Sequence, residues 1–107
     1  MHKEDKLALR YIKAKKLPTR HAMPYSEQFG WCNRSGGMRI DYFHPEVGFK
    51  EFTRRGVFDL KDIFAYPSIA KELKMPYEIV FVDGIAPDPL VAKGLKQLKI
   101  RFEVWGG

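Results

Sequence analysis

The sequence has little cysteine, no long apolar run, and no net charge in its second half. Cys32 is the only cysteine, so no internal disulfide can form, which fits a reducing cytoplasm. No apolar run approaches the length of about 18 residues that crosses a bilayer. The amino terminus also lacks the apolar stretch of a signal peptide. We therefore expect a cytoplasmic protein that does not enter a membrane.

An excess of cations in the first half makes the charge distribution uneven. Residues 1–55 carry 12 Lys and Arg against 6 Asp and Glu, whereas residues 56–107 carry 7 of each. All three histidines also fall in the basic half. Such one-sided positive charge predicts a polyanionic partner, with nucleic acid first and an acidic protein as the alternative. A basic surface that serves only solubility is the remaining interpretation.

Length and composition indicate one folded domain. The chain has 107 residues, of which 45% are hydrophobic and 14% aromatic, enough for a substantial core. Residues 1–55 are expected to form a basic helix, a loop and a hairpin. Residues 56–107 are expected to form a helix–strand–helix–strand unit that supplies most of the core. This order predicts an α/β domain with a mixed sheet of about four strands and helices on both faces.

Regular and irregular segments alternate in the first half. Residues 4–17 carry an apolar stripe at helical spacing and are followed by a proline that ends the helix. Residues 18–37 are rich in Pro, Gly, Asn and Ser, which predicts a long basic loop. Residues 38–43 and 47–54 are rich in aromatic and β-branched residues and flank a turn at residues 44–46, so they predict a hairpin.

Periodicity is clearest in the second half. A short turn near residues 60–65 and a helix over residues 67–74 are expected to precede a buried strand over residues 77–82. Asp88 followed by Pro89 is typical of a helix start. This helix is expected to turn four apolar side chains inward: Leu90, Val91, Leu95 and Leu98. Alternation after residue 100 predicts a last strand with one open face, parallel to the buried strand.

Two acidic residues lie on the predicted hairpin. Asp41 is followed, ten positions later, by Glu51 in the segment Phe49-Lys50-Glu51-Phe52. With this order of helices and strands, the segment resembles the central hairpin of the restriction-endonuclease-like nuclease superfamily. The resemblance implies that Asp41 and Glu51 hold Mg²⁺, which activates water and neutralises charge on the scissile phosphate. It also implies a supporting acid, Glu27, and a phosphate contact from Lys50.

The chain departs from that superfamily at one position. It has Thr53 where the superfamily has a lysine two positions after the second acid. Lys50 precedes Glu51, and neighbours on a strand point to opposite faces. Either another lysine enters the site, or the chain keeps the fold without the activity. The alternative interpretation is that the two acids form surface ion pairs with Arg39 and Arg54.

A second mechanism of phosphodiester cleavage requires no metal. Histidine exchanges protons near neutral pH, so His44 or His21 can serve as the acid or base in phosphodiester cleavage. His44, on the predicted hairpin, is therefore a further catalytic candidate.

Binding without catalysis is the simplest function. Aromatic rings stack on unpaired bases while cations follow the phosphates, and both residue types interleave in the basic half. The residues predicted to contact nucleic acid are Arg20, Arg34, Arg39, Tyr42, Arg54 and Arg55. The leading hypothesis is nucleic-acid processing, in its sharpest form by a metal-dependent nuclease. The alternatives are a binding module and a small interaction protein, of the phage or toxin–antitoxin accessory type, that docks an acidic partner.

Overall fold

The computed structural model describes residues 3–21, 41–55 and 66–106. The helices and strands of these ranges are α1 (Lys3–Ala14), β1 (Asp41–His44), β2 (Gly48–Thr53), α2 (Tyr66–Glu72), β3 (Tyr77–Phe81), α3 (Pro89–Gln97) and β4 (Arg101–Val104). The strands form one mixed sheet in the order β1-β2-β3-β4. β1 and β2 are antiparallel, whereas the β2–β3 and β3–β4 pairs are parallel. The predicted fold class is confirmed.

Several boundaries lie close to those predicted. The hairpin turn falls at residues 45–47, where the Val47 N–H donates to the His44 carbonyl at 3.0 Å. Most of the predicted loop over residues 18–37, and nearly all of the predicted turn over residues 60–65, lie outside the described ranges. The described helices have 12, 7 and 9 residues. None of them combines the length and apolarity needed to cross a membrane.

One face of the sheet, here called the α1 face, is covered by α1. Ala8 and Tyr11, one helical turn apart, are buried against Phe52 of β2 and Val80 of β3. The Tyr11 ring makes edge contacts with the rings of Phe52 and Trp105, at centroid distances of 5.6 and 5.4 Å. Aromatic packing therefore fixes the position of α1 on the sheet.

The opposite face, here called the α2/α3 face, is covered by the two later helices. Ala70 of α2 packs with Phe49 of β2, and Leu95 of α3 packs with Ile79 and Phe81 of β3. Side chains alternate along a strand. Consequently Phe49, Glu51 and Thr53 share the α2/α3 face, and the intervening residues of β2 lie on the α1 face. Helices on both faces confirm the predicted layering.

The inward face of α3 is narrower than predicted. Leu95 is completely buried and Val91 partly buried, but Leu90 is 77% exposed and Leu98 is 57% exposed. The prediction that Leu90 and Leu98 point inward was wrong. Leu90 lies in the first turn and Leu98 is the carboxyl-terminal cap, so both flank the single turn of α3 that packs against β3.

The open face of β4 is its apolar face. Phe102 and Val104 are 37% and 39% exposed, whereas Glu103 and Trp105 are half-buried on the α1 face. α3 packs against Ile79 and Phe81 of β3, so its cover thins toward β4 at the end of the sheet. An apolar strip therefore remains at the sheet edge.

Candidate functional site

Asp41 and Glu51, the two predicted metal ligands, are directly opposite each other in the antiparallel ladder of β1 and β2. Directly opposite positions are neighbours across the ladder. Glu51 itself lies on the α2/α3 face. The hairpin thus places the two acidic positions opposite each other in the ladder.

Glu51 is a buried carboxylate, with 2% of its surface exposed. Its Oε2 atom accepts a hydrogen bond from the Tyr77 hydroxyl, which comes from the adjacent strand β3. A carboxylate removed from water requires such donors. Tyr77 was not among the predicted site residues, because its proximity to Glu51 depends on the parallel register of β2 and β3, which no local pattern reveals.

Thr53 occupies the position at which the nuclease superfamily has lysine. It is 1% exposed, and its Oγ1 atom has no hydrogen-bond partner among the described residues. A buried hydroxyl without a partner is uncommon in folded proteins. Thr53 shares a face with Glu51, so both residues place oxygen atoms near the carboxyl end of β2. This is the edge of an α/β sheet at which ligands commonly bind.

Lys50 lies on the α1 face, away from Glu51. Its Nζ atom is 2.5 Å from Oε1 of Glu78 and 5.7 Å from the centroid of the Tyr11 ring. The Tyr11 hydroxyl in turn donates to Oε1 of Glu103 at 2.8 Å. Lys50 therefore belongs to a polar network beneath α1, and the phosphate contact predicted for it at the catalytic site requires its amine on the face of Glu51.

The same network changes the acidity of Tyr11. Burial, then the hydrogen bond to Glu103, and then the negative charges of Glu103 and Glu78 raise the pKa of the Tyr11 hydroxyl well above its usual value. Each of these causes disfavours the charged phenolate. Tyr11 therefore acts as a neutral hydrogen-bond donor that holds Glu103.

His44 lies at the opposite end of β1 from Asp41. The two positions are separated by about 10 Å along the strand. The His44 ring meets the His21 ring edge-on, with centroids 4.6 Å apart, and its Nδ1 atom accepts the Glu46 N–H at 3.0 Å. The candidate residues for metal-dependent and for histidine-dependent cleavage therefore lie at opposite ends of β1.

The predicted nucleic-acid contacts that the structure describes differ in exposure. Arg20 and Arg55 are exposed and Arg54 is half-buried. One guanidinium nitrogen of Arg55 is 3.8 Å from Oδ2 of Asp88. Three of the predicted site residues lie outside the described ranges: Glu27, Arg34 and Arg39.

Tyr42 is completely buried, and its hydroxyl donates to the Pro18 carbonyl at 2.8 Å. Burial also raises the pKa of this hydroxyl. The prediction that the Tyr42 ring stacks on a base requires an exposed ring. The alternation of β1 instead places the ring in the core of the α1 face.

The outer surface of α1 carries a row of cations. Lys6, Arg10 and Lys13 are all exposed, and about 3.6 residues per turn place them within an arc of about 60°. This arc is opposite the arc of Ala8 and Tyr11, which face the sheet. We call Lys6, Arg10 and Lys13 the basic stripe. It is absent from the predicted contacts, although its helical periodicity is visible in the sequence.

In comparisons with known proteins, no family model, no curated protein and no solved structure matches this chain. The function is therefore inferred from the chain's own geometry and charge.

Proposed function

We propose that this protein binds nucleic acid and that the basic stripe of α1 docks on the phosphate backbone. The observation that carries the proposal is the position of the three exposed cations, on the side of α1 opposite the core. Their side chains are spaced by about 5–6 Å along the helix, so one strand of phosphates can contact several of them. Each neutralised phosphate releases counterions, which drives binding.

The rigid attachment of α1 supports this role. Tyr11 packs against Phe52 and Trp105 and donates to Glu103, so the stripe is held on a fixed support. Cations on a fixed support lose less conformational entropy on binding than cations on a mobile segment. The net charge of +6 supports the attraction of polyanions. The cytoplasmic compartment expected from the sequence is part of the same proposal.

Fluorescence anisotropy with labelled single- and double-stranded DNA and RNA tests this function. One variant neutralises the basic stripe: Lys6→Gln, Arg10→Gln and Lys13→Gln. The matched control removes the same charge from exposed helical positions on α2 and α3: Lys71→Gln, Lys93→Gln and Lys96→Gln. For duplex DNA, loss of three phosphate contacts lowers the slope of log K against log salt by about 2–3.

We expect the stripe variant to bind weakly and the control to bind like the wild type. Equal losses in both variants would show that net charge alone, and not α1, attracts nucleic acid. Absence of binding at low salt would reject the proposal and favour an acidic protein partner.

A second candidate function, metal-dependent cleavage of nucleic acid, is favoured by the register that sets Asp41 opposite Glu51. Magnesium in proteins is commonly held by one or two carboxylates and several waters, and the oxygens of Glu51 and Thr53 suit such an ion. Asp41 and Glu51 are the residues that would hold it. Bound Mg²⁺ would activate water and neutralise charge on the phosphate. Within the described ranges, no group of three or more His, Cys, Asp or Glu residues forms a larger site.

Incubation of nucleic acids with Mg²⁺, Mn²⁺ or a chelator separates the candidates. Asp41→Asn and Glu51→Gln are the test variants, and Glu46→Gln, at an exposed turn position, is the control. Cleavage that needs metal and is lost only in the test variants supports a nuclease. Cleavage that persists with chelator and is lost in His44→Ala indicates histidine chemistry. Binding without cleavage leaves a non-catalytic binding module.

A further inference from the structure

Within residues 3–21, 41–55 and 66–106, no strand pairs with the outer edge of β4. β4 ends the described sheet, and its inner edge pairs with β3. The Trp105 N–H donates to the Phe81 carbonyl at 2.9 Å, so residues 101, 103 and 105 direct their backbone groups toward β3. Backbone direction alternates along a strand. The N–H and C=O groups of Phe102 and Val104 therefore point to the open edge.

The sequence of β4 is complementary to itself in antiparallel pairing. Arg101 precedes Phe102, and Glu103 follows it. A two-fold axis at Phe102 therefore places Arg101 of each copy opposite Glu103 of the other copy. The same register places Ile100 opposite Val104 of the second copy. Opposite charges and apolar residues that face each other across strands stabilise a sheet. A parallel pair in register would instead set each charge against itself.

Backbone geometry supports the same register. Because the Phe102 N–H and C=O both point outward, two Phe102 residues at the axis can exchange two hydrogen bonds. Arg101 and Glu103 then form the closer, non-hydrogen-bonded pairs, in which side chains interact most strongly. Glu103 remains 28% exposed at its side chain while it contacts Tyr11 and Lys15, so its carboxylate is accessible to a second arginine.

We propose that this protein forms a symmetric dimer by antiparallel pairing of β4 with β4 of a second copy. The two four-stranded sheets then join into one continuous sheet. Phe102 and Val104, exposed at 37% and 39%, form the apolar face of the β4–β4 interface. This proposal does not depend on the proposed function. It does predict that both basic stripes lie on the same face of the joined sheet, because the two-fold axis is perpendicular to that sheet.

Sedimentation equilibrium tests the dimer. Arg101→Glu sets like charges opposite each other at both symmetric pairs and is expected to raise the dimer dissociation constant by about tenfold or more. Lys71→Glu, on α2, makes the same charge change away from β4 and is expected to leave the constant unchanged. A wild-type chain that is monomeric at its highest soluble concentration overturns the proposal. A dimer that Arg101→Glu leaves intact also overturns it.

Cross-linking tests the register. In a Cys32→Ser background, Phe102→Cys places two thiols across the axis at a Cα separation of about 5.5 Å, within disulfide range. Position 104 lies on the same face, but the two copies of this position are about 13 Å apart in the dimer. Two Val104→Cys chains therefore cannot form a disulfide. Mild oxidation is expected to cross-link the Phe102→Cys chain and not the Val104→Cys chain. Circular dichroism verifies folding of both, and cross-linking of only the Val104→Cys chain, or of neither, contradicts the register.

Discussion

Tyr77 donates its hydroxyl hydrogen to Glu51 across the parallel β2–β3 pair. The bond stabilises a carboxylate that is 2% exposed and shares a face of the sheet with the buried side chains of Phe49 and Ile79. Glu51 is thereby presented at the carboxyl end of β2, beside Thr53 and opposite Asp41. The carboxylate site and the stability of the sheet are therefore linked through one hydroxyl group.

Removal of that hydroxyl tests the link. Tyr77→Phe is expected to lower the free energy of unfolding by about 1–3 kcal/mol, because hydrogen bonds to charged groups contribute this much. Urea denaturation measures the loss. A double-mutant cycle with Glu51→Gln isolates the coupling between the two side chains. A coupling energy near zero would show that the hydrogen bond contributes nothing to stability.

Thr53→Val is expected to stabilise the protein. Valine keeps the shape and the β-branch of threonine but removes a buried hydroxyl that lacks a partner among the described residues. The expected gain is about 1 kcal/mol, measured as a rise in the urea midpoint. Thr53→Ser, which keeps the hydroxyl and loses the methyl group, is expected to lower the midpoint. A destabilised Thr53→Val chain would show that the hydroxyl is satisfied in solution.

Stability is expected to fall in alkaline solution because of Tyr11. Burial and Glu103 raise the pKa of its hydroxyl in the folded chain, so the folded chain binds this proton more tightly than the unfolded chain. The resulting stabilisation is complete below the ordinary tyrosine pKa of about 10 and is lost as pH rises above it. Urea midpoints measured across this range are expected to decline less steeply for Tyr11→Phe. Parallel declines in the two chains would contradict the prediction.

Gly48→Ala is expected to destabilise the hairpin by at least about 2 kcal/mol. Gly48 has a φ of +103°, and a Cβ atom there would lie 2.6 Å from the Pro76 carbonyl oxygen. Gly84, at a φ of +76°, is the comparison, since its Cβ would meet Gly106 at 2.9 Å near the end of the described chain. Thermal unfolding should show the larger loss for Gly48→Ala. Equal losses of thermal stability in the two variants would mean that the close contact with Pro76 does not add to the cost of a side chain at position 48.

Local signals in the sequence predicted several elements well. The apolar run over residues 77–82 corresponds to β3 at Tyr77–Phe81. Asp88 caps α3, where its Oδ1 accepts the Leu90 N–H at 3.0 Å. The pairing of positions 41 and 51 across the hairpin could also be predicted, because a short hairpin turn sets the register of its strands. Each of these features depends on residues close together in sequence.

Features set by distant packing were not predictable. The Tyr77–Glu51 hydrogen bond joins residues 26 positions apart, and the exposure of Leu90 depends on where α3 meets β3. The burial of Tyr42 follows from α1, which lies far from it in sequence. Periodicity identifies the apolar side of an element, but the extent of its cover depends on the neighbouring elements.

The central pair of the sheet has a consequence for biosynthesis. β2 pairs with β3 across 28 positions, from Phe49 to Tyr77, and α1 packs against Trp105. While residues 1–55 are emerging from the ribosome, β2 can pair with β1 but not yet with β3. The newly synthesised basic half therefore exposes apolar side chains as well as positive charge, because its core cannot be completed until β3 has been made. Closure of this long loop makes folding of the described domain a late event, after most of its residues have been synthesised.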